Sequence, residues 1–115
     1  MTQEDKELLL KDICCRLPYG VRVKDTYYNY NENYQKIWLL DLNAQKVRIF
    51  ADEGWQSIEY IKPYLFPMSK VVEEIVTTSS KHIAVNVDFF HKNHIDYRGL
   101  IPKGLAIDAT GLNIY

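Results

Sequence analysis

The chain has 115 residues, of which 25% are charged, and a formal net charge of −1 at neutral pH. That length suits a single domain, 1–115, whose core needs no disulfide or metal to staple it. Near-neutrality excludes a general field drawing the whole molecule to nucleic acid or anionic lipid, though not a local patch.

Along the chain, Thr2 with Asp5 predicts a helix cap, and Glu4 and Asp5 stand near the helix's positive end. Leu10, Ile13, Cys14 and Leu17 recur at i, i+3, i+4 and i+7, which predicts a helix over 3–17 with those four on its buried face. Arg16 falls in the last turn, where a cation is favoured, and Pro18 with Gly20 ends the helix. The adjacent Cys14 and Cys15 have no second pair to complete a metal site and read as reduced thiols of a cytosolic protein, Cys14 in the core and Cys15 at its margin.

"VRVKDTYY" (21–28) alternates Val21 and Val23 against Arg22 and Lys24, the pattern of a half-buried strand. After the polar loop 29–33, "KIWLLDL" and "KVRIFAD" are β-rich runs joined by Asn43, Ala44 and Gln45, a hairpin signal. "WQSIEYI" gives a fourth, imperfect strand that Pro63 is expected to end. Ser69 then caps a helix carrying Val72, Ile75 and Val76, and a last helix is placed from about Val85 to His94, with Gly99 or the residues before it as its exit. In "DYRGLIPKGLAID" (96–108), Tyr97 reads as a packing anchor, Arg98 as a partner for Asp96 or a carbonyl, and Gly104 as a second turn; Leu100, Ile101, Leu105 and Ile107 read as core contacts. The sum is an α+β domain: an N-terminal helix, a four-stranded antiparallel sheet with closure into a small SH3-like barrel as one option, two C-terminal helices and an extended tail.

The residues bear on three kinds of chemistry. Asp88, His91 and His94 at i, i+3, i+6 are only approximately on one side of a helix, and zinc would need a fourth ligand or an open position besides, so no metal site is expected. Neither cysteine belongs to a nucleophile signature, and no phosphate-binding glycine loop, G-x-S-x-G elbow or H-E-x-x-H occurs. No catalytic residue, cofactor or metal is therefore expected, and no enzyme activity. The strand cations Arg22, Lys24, Lys36, Lys46 and Arg48, with Trp38, Trp55 and nine tyrosines, fit either a solvated sheet face or a single-strand binding groove. No apolar run reaches the roughly 18 residues of a membrane span and "MTQEDKE" carries no signal segment, so a cytoplasmic protein without membrane contact is expected.

Three stretches, "ELLLKDICCRLPYGVRV" (7–23), "IKPYLFPMS" (61–69) and "DYRGLIPKGLAID", together resemble a family of short proteins encoded by gut Bacteroidales and their phages and prophages. The resemblance implies a mobile-element context, where adapters and accessory proteins are common, and carries over no activity and no site residues. The expected function is a non-enzymatic phage or prophage accessory or adapter protein. Its partner would be a protein, met by a surface of Tyr97, Arg98, Tyr28 and Tyr30, residue types that dominate interface hot spots. The alternative is a small nucleic-acid-binding module using the sheet's aromatic and basic residues.

Overall fold

The structure, a computed structural model, describes residues 1–27, 35–37, 39–49, 54–69 and 87–115. The body of the helix expected after Ser69, with Val72, Ile75 and Val76, lies outside the described residues, as do Tyr28, Tyr30 and Trp38.

Helix α1 spans Gln3–Arg16. It starts where predicted: the Thr2 hydroxyl accepts from the Asp5 amide at 3.1 Å while the Asp5 carboxylate accepts from the Thr2 amide at 3.3 Å, a reciprocal capping box. A 3-10 turn, Leu17–Tyr19, follows and ends at Gly20 with φ 68°, the left-handed conformation glycine adopts without strain. The buried residues of α1 are Leu9, Leu10, Asp12, Ile13 and Arg16. At 100° per residue this face is rotated by about 80° from the one that the apolar spacing alone predicts. Cys14 is consequently exposed rather than in the core, and Cys15 is half-buried. The cause is the mutual neutralisation of Asp12 and Arg16, which lets two charged residues occupy the inward face.

The strands are β1 (Arg22–Asp25), β2 (Gln35–Lys36), β3 (Leu39–Asp41), β4 (Lys46–Arg48), β5 (Gln56–Ser57) and β6 (Ile61–Pro67). Helix α2 (Val87–Lys92) and the short strands β7 (Ile95–Asp96) and β8 (Ile107–Asp108) complete the described elements. The architecture is α+β, but the expected single four-stranded sheet is replaced by two. One is five-stranded in the order β2-β1-β6-β7, with β8 also on β6; the other is β3-β4-β5. Their antiparallel members include the predicted hairpin, with Asp41 opposite Lys46, whereas β7 and β8 both pair parallel to β6. Among the described residues neither sheet closes into a barrel.

Pro63 does not end a strand; it lies inside β6, opposite Val23. Because the Thr26 amide donates to the Tyr60 carbonyl, the hydrogen-bonded pairs of this ladder are 26–60 and 24–62, and 23–63 is a non-hydrogen-bonded pair. β1 therefore asks nothing of the N–H that proline lacks. The Phe66 amide donates to the His94 carbonyl and the Leu65 carbonyl accepts from the Ala109 amide. These are the two poles of one peptide unit, so β7 and β8 flank β6 on opposite sides.

Leu9, Leu10 and Ile13 of α1, Val23, Ile61 and Leu65 of the larger sheet, Val47 and Ile49 beside the smaller, and Leu100 and Leu105 form one core cluster. Leu100 and Leu105 are buried as expected, while Ile101 and Ile107 are partly buried. Helix α2 occupies part of the stretch expected to be helical from about Val85, and it is left through His94, at φ 57°, before Gly99 is reached.

Candidate functional site

The inward face of α1 carries an ion pair with no solvent exposure on either side chain. Arg16 grips Asp12 with two bonds, Nε to Oδ2 at 2.8 Å and Nη2 to Oδ1 at 3.1 Å. Its remaining donors reach across the molecule: Nη1 donates to the Phe90 carbonyl at 3.2 Å, and Nη2 to the Ile95 carbonyl. A fully buried guanidinium is tolerable only with such a set of acceptors, and it ties α1 to α2 and to β7.

Arg98 joins this pair from the far end of the sequence, its Nε donating to Asp12 Oδ1 at 3.1 Å. It does not pair with Asp96, whose carboxylate accepts instead from the Leu100 and Ile101 amides at 2.8 and 2.9 Å and so fastens the turn that follows. The guanidinium carbon of Arg98 sits 4.7 Å from the centroid of the Tyr97 ring, and that of Arg16 sits 5.7 Å from it. Phe90 stacks on the same ring at 5.3 Å and 22°. The Tyr97 hydroxyl and His91 Nε2 share a 2.7 Å hydrogen bond. Burial, helped by the charge of Arg16, lowers the pKa of His91, while burial raises that of Tyr97. At neutral pH the pair is thus an uncharged imidazole and an intact phenol, each occupied by the other.

Of the predicted surface residues, the structure brings Tyr97 and Arg98 together, half-buried; Tyr28 and Tyr30 lie outside the described residues. Asp12, Arg16, His91 and Phe90 complete the cluster, and none was assigned to it from the sequence. The one available signal was the i, i+4 spacing of Asp12 and Arg16, which solvated helix faces show as often. Asp88, His91 and His94 serve different surroundings: Asp88 is exposed, His91 meets Tyr97, and His94 stacks on Tyr115 with centroids 3.8 Å apart. Burial, followed by the charge of Arg16, pushes His94 down to about 4.

The strand cations divide between the sheets. Arg22, Lys24 and Lys36 lie on β1 and β2, and Lys46 and Arg48 lie on β4. Trp55 stands exposed just before β5. Cys14, Cys15, Leu10 and Leu42 line an open groove between α1 and the β3–β4 turn. Among the described residues no helix is long and apolar enough to cross a membrane. Comparison with protein-family models, curated proteins and solved structures finds no match.

Proposed function

We propose that this chain is a non-enzymatic accessory or adapter protein of phage or prophage type that binds a protein partner through the face of Tyr97 and Arg98. The observation that carries this reading is how Arg98 is held. Its Nε is fixed to a buried carboxylate and its guanidinium carbon lies over the Tyr97 ring, while among the described residues its two terminal nitrogens have no acceptor. A guanidinium clamped in this way loses little freedom when a second group meets its open edge, which is the condition under which Arg and Tyr become binding hot spots. The state of the His91–Tyr97 pair supports a binding role over an acid–base one, since neither group is tuned toward neutral pH. The alternative, nucleic-acid binding, draws its support from a different surface, the outer face of the five-stranded sheet.

The test is capture of the tagged protein from a lysate of a gut Bacteroidales host after nuclease treatment. A near-stoichiometric protein that is retained by the parent chain, and lost with Tyr97→Ala and Arg98→Ala variants of unchanged circular dichroism, is the expected result. Retention by both variants overturns the assignment of this face.

A further inference from the structure

The outer face of the five-stranded sheet is cationic by register. In β1, Val23 and Asp25 are buried and Arg22 and Lys24 point the other way, following the strict alternation of a strand. Arg22 stands opposite Lys36 of β2, and Lys24 stands opposite Lys62 of β6. Residues directly opposite share a face, so all four cations project from one side of three neighbouring strands. Two like-charged pairs placed side by side oppose sheet formation. Lys24, Lys36 and Lys62 have no carboxylate partner among the described residues. The nearby acid of β1, Asp25, is buried on the opposite face, where it accepts from the Tyr27 amide at 2.9 Å.

Aromatic rings border this row. Tyr27, which is 59% exposed, lies 5.0 Å from Tyr60, and Tyr60 follows in register from the Lys24–Lys62 pair. Beyond the cations at the other end, Tyr115 meets Tyr64, Phe66 and the Arg22 amide, and the rest of the described face is the cation row with Tyr27 and Tyr60. Glu59 stands at this aromatic end, where its carboxylate hydrogen-bonds to Tyr60, and it also pairs with Lys6 of α1 at 3.8 Å.

We infer that this face binds single-stranded nucleic acid, the four cations tracking the phosphodiester backbone and the Tyr27–Tyr60 pair offering a surface on which a base stacks. Cations beside an exposed ring on which a base can stack are the combination by which proteins hold single strands, and this favours a nucleic acid over an acidic peptide. The site is independent of the Tyr97–Arg98 face, so each can fail without the other.

The experiment measures binding of a fluorescent oligodeoxythymidine of about 15 nucleotides by the full chain, from low to moderate salt. Four contacts on a single strand give a log–log salt slope of about −3. The double variant Lys24→Gln/Lys62→Gln is expected to flatten that slope by about 1.4 and to weaken binding about tenfold or more at low salt. Because it relieves a like-charge pair, it should be as stable as the parent to urea, which separates lost binding from lost folding. Tyr27→Ala should weaken binding about tenfold without changing the slope, and Lys46→Gln, on the other sheet, should change neither. Absence of binding at low salt, binding unaltered in the double variant, or equal affinity for polyglutamate overturns the inference.

Discussion

Asp12 is the residue on which the buried network turns, since it answers Arg16 and Arg98 together. Asp12→Asn would leave the Arg16 charge buried with only neutral acceptors, and a loss of about 3–5 kcal/mol in urea unfolding is expected, far more than for an exposed helix pair. His94 gives a pH dependence of definite sign. In the unfolded chain its imidazole titrates near 6.5, and in the fold only at about 4. Between those values the unfolded chain binds the extra proton, so this contribution to stability is complete above about 6.5 and is lost progressively as the pH falls toward 4. His91, also lowered, acts in the same direction. His94→Asn keeps a residue type that tolerates φ 57° and removes the titration. Its urea midpoint should change less between pH 7 and pH 5 than that of the parent, and an equal change would show that His94 contributes no part of the slope.

Among the elements, α1 was the most legible, because its cap is local chemistry written in consecutive residues. Thr2→Ala should cost about 1 kcal/mol, read as a lowered melting temperature, since it removes one half of the capping box. The face of α1 was not legible: apolar spacing counts Asp12 and Arg16 as outward, and only acceptors 74 and 79 residues away, the Phe90 and Ile95 carbonyls, make Arg16 an inward group. β1 and the β3–β4 hairpin followed from alternation and turn chemistry. The partition into two sheets did not, because strand order is decided by non-local pairing, and β7 and β8 are two-residue strands with no periodicity to read. Pro63 misleads for a related reason. Its harmlessness depends on which pairs of the β1–β6 ladder carry hydrogen bonds, a property of register rather than of composition. The candidate site was half legible: Tyr97 and Arg98 stood out by residue type, whereas their setting is assembled from α1, α2 and the turn after β7.

At the scale of the whole molecule, Tyr115 binds the sheet in an unusual manner. After the bonded 24–62 pair the next rung of the β1–β6 ladder would join Arg22 to Tyr64, but the Arg22 amide donates to the Tyr115 hydroxyl at 2.8 Å and that hydroxyl donates to the Tyr64 carbonyl at 2.7 Å. Tyr115→Phe should remove the hydroxyl bridge between these two backbone groups, lowering stability by about 1–3 kcal/mol and speeding hydrogen exchange at the Arg22 amide. Unchanged exchange there would show that the hydroxyl bridge is dispensable. The reach of the Asp12 network bears on the order of events during synthesis. Its guanidinium partner from the turn lies 86 residues downstream, and the Ile95 carbonyl that completes Arg16 lies 79 residues downstream. A nascent chain can wind α1 early, yet the Asp12–Arg16 pair on the helix's future inner face lacks its distant partners until the chain through Arg98 has left the ribosome. Stalled or shortened products should therefore stay unfolded and open to proteolysis, and folding should be a late event with the slow rate of distant contacts.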